Sequence, residues 1–217
     1  ILFFWNMYCA VRLTGKIQGD ITSIQSIIFD DLIFSPEMGI SEMTVESTGM
    51  MRTGDRFSSN DLVSGRYHGV GFTQSDILIE DEDTDSDGNT TTVTVFKGRW
   101  MIFDFNKAFK SDLQIISKHF YASKRKGGIF SKKENRLNRI ELESEEFNKN
   151  FKVFAQSEQE AFYILTPHIM DSLTKLRQGL KSPIMLMFVN GALHIAVQNG
   201  KDAFEPKLFG KLNEETE

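Results

Sequence analysis

The hydrophobic pattern divides the chain into segments with different periods. Ile17, Ile21, Ile24, Ile28 and Leu32 recur at helical spacing, which predicts an amphipathic helix over 17–33. Asp20 is a candidate cap, and Ser35-Pro36 ends the run because a residue before proline avoids the α region. From about 40 to 140 the period shortens to two. Residues 65–72 and 76–80 read as extended, and Thr90–Phe105 is the clearest strand. There Val93, Val95, Met101, Phe103 and Phe105 share one face, with Phe96, Trp100 and Ile102 on the other. Apolar residues on both sides of its second half place this strand centrally, covered twice. Gly98 is a candidate bulge.

The second half of the chain is punctuated by caps and turns. Ser157 and Glu160 have capping-box spacing, and Thr166-Pro167 restarts the helix with a cap and a first-turn proline. Two short helices, or one kinked helix, are expected over 158–178, with Gly179 as the left-handed terminator. Asn190-Gly191 predicts a two-residue hairpin turn that pairs Val189 with Ala192, Phe188 with Leu193, Met187 with His194 and Leu186 with Ile195. Ile184, Leu186, Phe188, Leu193, Ile195 and Val197 then face a core. His194 falls on the opposite face beside Met185 and Met187.

Two stretches echo each other: Asp104 begins DFNKAFK and Glu146 begins EFNKNFK. The plainest role is a corner, in which two phenylalanines four apart anchor the turn and the asparagine satisfies local backbone. A sharper alternative is a paired ligand site of Asn106, Lys107, Asn148 and Lys149.

A 217-residue chain that is 40% hydrophobic can fill one core without a disulfide or metal staple. The net charge of −5 argues against a nucleic-acid binder. Cys9, the single cysteine, cannot form a disulfide within the chain and reads as a small buried hydrophobe. The chain opens on Ile1 and not Met, so a fragment or processed product is expected. Residues 1–11 are almost wholly apolar but too few to span a bilayer, which takes about 20 in a helix. They fit either the end of a membrane helix or a buried core segment. Arg12 and Lys16 follow, as on the cytoplasmic side of such a helix. Residues 124–139 form a basic run. It reads as a solvated loop, or as a contact for anionic lipid headgroups through Lys124, Arg125, Lys126, Lys132 and Lys133.

The tests for catalytic chemistry return no assembled set. His68, His119, His168 and His194 show no metal-ligand spacing, so no metal site and no cofactor are expected. Asp83, Asp85, Asp87 and Gly88 imitate a calcium loop, but Thr94 stands where the bidentate glutamate belongs, which favours a hairpin tip. The glycines of 65–72 (GRYHGVGF) are not followed by a helical pattern, so they mark bulges or close backbone approach and not a phosphate cradle. Asp30-Asp31 and Glu145-Glu146 are sequence neighbours whose side chains diverge.

The segments DLVSG (61–65), VFKGRWMIFDFNKAF (95–109), ELESEEFNKNFKVFA (141–155), YILTP (163–167), ALHIAV (192–197) and FEP (204–206) carry a family resemblance. Over roughly 12–208 the chain resembles the bacterial family catalogued as domain of unknown function 3137. Its members carry membrane segments ahead of a soluble region and have no assigned activity. The resemblance implies that 1–16 is the end of a membrane helix, 17–210 one soluble domain and 211–217 a polar tail. It also implies a bacterial membrane location with a cytoplasmic domain. The expected fold is α+β: a curved or barrel-like, mostly antiparallel sheet, an N-terminal helix, and a short kinked helical unit packed on the sheet. The expected function is a membrane-tethered module that binds a partner protein or anionic headgroups. The alternative is a hydrolase whose site is assembled from distant residues around His68, His119 or His194.

Overall fold

A computed structural model describes residues 30–67, 69–104, 111–120 and 137–200. They form one nine-stranded antiparallel sheet and four helices. The strands are β1 (Asp30–Ser35), β2 (Arg56–Tyr67), β3 (Val70–Thr84), β4 (Thr90–Asp104), β5 (Leu113–Ser117), β6 (Asn138–Ile140), β7 (Phe151–Ala155), β8 (Ile184–Val189) and β9 (Ala192–Val197). The helices are α1 (Glu42–Thr48), α2 (Glu145–Asn150), α3 (Glu158–Ile164) and α4 (Pro167–Leu180). The spatial order is β1-β2-β3-β4-β9-β8-β5-β7-β6. The sheet is therefore open, with β1 and the three-residue β6 as its edges, and the barrel-like alternative is corrected to an open sheet.

The centre of the sheet is buried on both faces, because its strands are apolar on both faces. Met101, Phe103, Leu113, Ile115, Leu186, Leu193 and Ile195 point into one cluster, which Phe147 of α2, Ala161 of α3, and Leu173 and Leu176 of α4 close. Phe96, Trp100, Met185, Met187 and Ala196 point the other way, into a second cluster closed by Ile40, Val45, Met50 and Met51 from α1 and its flanks. β4 is thus central and covered twice, as its composition implies. The β8–β9 hairpin has the register that Asn190-Gly191 dictates, from Val189 opposite Ala192 to Leu186 opposite Ile195. Asn190 and Gly191 both take positive φ, at 54° and 79°.

Caps delimit the helices. Ser157 accepts from the Glu160 backbone N–H and Thr166 from that of Ile169, giving two separate helices with Pro167 in the first turn of the second. The second helix runs past Gly179; the left-handed cap is Lys181, at φ 53°. α1 was not anticipated. It is too short for a periodic stripe, but Ser41 caps it and Gly49, at φ 67°, ends it.

Two further expectations are corrected. Residues 30–33 of the expected 17–33 helix are strand, with Ile33 opposite Ser64. Leu32 and Phe34, two apart, face the first cluster. Leu32 fits both periods, and pairing with β2 decides between them; residues 17–29 lie outside the described residues. The bulge in β4 falls at Val95, where the register shifts between Ile79 and Glu80, and it brings Val95 into the second cluster beside Phe96. Gly98 is regularly paired with Ile77. A Cβ there would run into the Val197 backbone carbonyl, so close approach and not a bulge fixes this glycine.

Gly98→Ala is therefore expected to lower unfolding stability by about 2 kcal/mol, because the obstructing group is backbone. Urea denaturation of the variant measures this. An effect near zero would mean that the end of β9 yields freely.

Candidate functional site

Among the described residues, the second face of the sheet is covered by α1 over its middle but not at the end where β1, β2, β3 and β4 run side by side. A cleft of about 350 Å³ opens there, lined by Asp31, Ser64, Gly65, Arg66, Gly71, Phe72, Thr73, Ile102 and Asp104. The register explains it. Ser64, Thr73 and Ile102 form one cross-strand row, and Arg66, Gly71 and Asp104 form the next on the same face. Gly71 thus stands between a cation and an anion whose strands lie about 10 Å apart, two strand spacings. With no side chain at Gly71, a slot is left between them. Asp31 reaches the cleft because β1 is irregular: the register shifts between Asp30 and Ile33, and Asp31 takes φ 54°. A bulge commonly re-aims a side chain in this way. Of the neighbours Asp30 and Asp31, Asp31 lines the cleft.

A second concavity, of about 530 Å³, lies along α1 and the loop after it, lined by residues between Met43 and Gly54. Its cation, Arg52, is already engaged with Asp81 at 3.4 Å. In the first cleft the guanidinium of Arg66 has no ion-pair partner among the described residues.

The three described histidines do not converge. His194 lies in β9, buried, and its Nδ1 accepts a hydrogen bond from the Trp100 indole at 3.3 Å. Nδ1 is therefore the unprotonated nitrogen. Burial lowers the His194 pKa to about 4. This is a neutral core residue and not a base poised near pH 7. His119 occupies the turn after β5 at φ 83°, His168 is exposed in the first turn of α4, and His68 lies outside the described residues.

Asn148 and Lys149 lie on α2. Asn148 accepts from the Leu142 N–H at 3.3 Å and donates to the Leu142 carbonyl at 2.6 Å. Phe147 and Phe151 are buried and stacked with centroids 4.6 Å apart. This second copy of the echo is a corner of the kind expected, anchored by two rings and tied by its asparagine. Lys149 is exposed, 4.0 Å from Glu145. Asn106 and Lys107 lie outside the described residues, as do Lys124, Arg125, Lys126, Lys132 and Lys133.

The calcium-like stretch is a hairpin tip. The Asp85 carboxylate accepts from the Asn89 side chain, the Asn89 N–H and the Asp87 N–H. These bonds, the Asn89 side chain first, hold its pKa below the ordinary aspartate value. Among the described residues no group of three or more His, Cys, Asp or Glu side chains is placed to hold a metal ion.

Sequence reasoning missed the cleft. The stretch 65–72 stood out for its glycines, but Gly71 acquires its meaning only when β4 places Asp104 beside it.

Two outcomes test these assignments. Unfolded histidine takes up a proton below about pH 6.5, whereas folded His194 does so only near pH 4. Its contribution is complete above pH 6.5 and declines as pH falls toward 4, by up to about 3 kcal/mol. His194→Gln keeps an acceptor for Trp100 but does not titrate. Its stability deficit relative to the parent chain should shrink between pH 7 and pH 4.5 in urea titrations, and a constant deficit would contradict the assignment. Asn148→Ala removes both bonds to Leu142 and should cost about 1–2 kcal/mol in the same assay; a neutral result would dismiss the corner.

No curated protein and no solved structure matches the chain. A family model described as "Protein of unknown function (DUF3137)" matches residues 94–217, from within β4 through the β8–β9 hairpin and beyond, which is more than half of the chain's length. The chain belongs to that family.

Proposed function

We propose that this chain is the recognition module of a bacterial membrane-held protein, and that it binds its ligand at the open end of the sheet. The observation that carries this reading is the cleft at β1–β4. There the described elements leave a concave stretch of the sheet's face uncovered, with hydroxyls, a guanidinium and carboxylates around an apolar floor. Its volume falls at the lower end of the range of small-molecule sites, about 300–1,000 Å³. The site rests on strands of one hydrogen-bonded sheet, and such a scaffold holds side chains more rigidly than a loop does.

Membrane attachment and cytoplasmic placement belong to the same proposal. They draw on the apolar segment 1–11, the basic residues after it and the basic run 124–139. Among the described residues no helix is long and apolar enough to cross a membrane. The hydrolase alternative is not favoured by His194, whose ring serves the core through Trp100.

Backbone amide shifts in a small-molecule fragment screen should cluster on Ser64–Arg66, Gly71–Thr73 and Ile102–Asp104. Hits confined to residues 43–54 would relocate the site. Co-sedimentation with vesicles containing about one-third anionic lipid separates the membrane part of the proposal. Neutralising Lys124, Arg125, Lys126, Lys132 and Lys133 should weaken binding at least tenfold if each residue adds about 1 kcal/mol near the surface. Undiminished binding would remove the headgroup reading.

A further inference from the structure

We infer that the ligand of this cleft is a small zwitterion, a molecule that carries an ammonium and a carboxylate a few bonds apart, as in a free amino acid or a very short peptide. The inference rests on the cleft being the recognition site and names its chemistry.

The charges are the first argument. Asp30 is the backbone register partner of Arg66 across β1 and β2, and the next residue, Asp31, sits in the irregular stretch of β1 that borders the cleft. A planar guanidinium presents a fork of donors that matches a carboxylate two by two. A carboxylate at Asp31 offers the complementary acceptor for an ammonium. Both side chains line the same concavity. A ligand with a single charge would satisfy one of them and meet the other as a like charge. A zwitterion meets both as opposites.

The shape is the second argument. Gly71 leaves the slot between Arg66 and Asp104 empty, and a Cβ added there would meet only the Asp104 Cβ, at 3.9 Å. The glycine is not demanded by packing, and its φ is not in the left-handed region. A strand interior gains from a β-branched residue and loses from glycine. The missing side chain is thus explained by space kept for a ligand and not by the fold. The third argument is the floor. Ile102 supplies an apolar surface, and Ser64 and Thr73 flank it with hydroxyls in the same cross-strand row. This suits a ligand with a short aliphatic side chain and polar ends.

Calorimetric titration of the chain with L-leucine, N-acetyl-leucine, leucine methyl ester and the dipeptide Leu-Leu tests the inference. Leucine should bind at least tenfold more tightly than either blocked form. The N-acetyl form lacks the ammonium and the ester lacks the carboxylate. Leu-Leu binding more tightly than leucine would identify a peptide source, and the reverse order a free amino acid. Arg66→Met should abolish the advantage of leucine over its ester, and Asp31→Asn its advantage over N-acetyl-leucine. Gly71→Val should eliminate binding with unfolding stability retained or improved, which separates a filled slot from a broken fold. Equal binding of leucine and both blocked forms overturns the zwitterion, as does no binding of leucine or Leu-Leu at 50 mM. The zwitterion inference alone fails if fragments still shift Ser64–Arg66 and Gly71–Thr73 while leucine and Leu-Leu do not. If leucine binds and Gly71→Val leaves its affinity unchanged, the cleft itself is the wrong site.

Discussion

The ladder of backbone hydrogen bonds from β4 through β9 and β8 to β5 is the constraint on which the rest of this structure depends. These four strands are apolar on both faces, so the sheet they build must be covered twice. That requirement sets the places of the other elements. α2, α3 and α4 close one face, and α1 with its flanks closes the other. Every pairing among the described strands is antiparallel, although their order is not sequential: β4 pairs with β9, and β8 with β5. Contacts between strands so far apart in sequence are slow to form, because loop closure precedes their reward.

A double cover also explains where polar groups are tolerated. His194 and Trp100 satisfy each other within the second cluster. Asp76 and Arg99 form a buried pair at 3.1 Å on the other face. Such a pair adds little net stability against an apolar replacement, but breaking it leaves a buried charge. At the β1–β4 end the cover given by the described residues stops, and polar side chains there line a cleft. The site is a consequence of how far α1 reaches along the sheet.

The parts legible in the sequence were those specified by local chemistry. Asn190-Gly191 fixes a turn, and the turn fixes every pairing in the hairpin. Ser157, Thr166 and Pro167 fix helix starts, and period-two apolar spacing fixes β4. What stayed hidden depends on partners distant in sequence. β1 looked helical because Ile28 and Leu32 continue a stripe of period near four, and only β2 makes Leu32 and Phe34 neighbours on one face. The role of Gly98 depends on where Val197 comes to rest. The cleft is the same kind of case: Asp31, Arg66, Gly71 and Asp104 come from four strands, and no pattern within any one of them shows that they meet.

Native-state hydrogen exchange, resolved by residue, tests the doubly covered ladder most directly. Amides of β5, β8, β9 and the Arg99–Asp104 half of β4 should exchange only through global unfolding, with one shared free energy. Within the strand ladder, residues 81–93 pair only with each other among the described residues and should exchange through smaller openings. If the amides of β8 and β9 instead exchanged as fast as those of the β3–β4 tip, the central ladder would not be the element that holds the structure together.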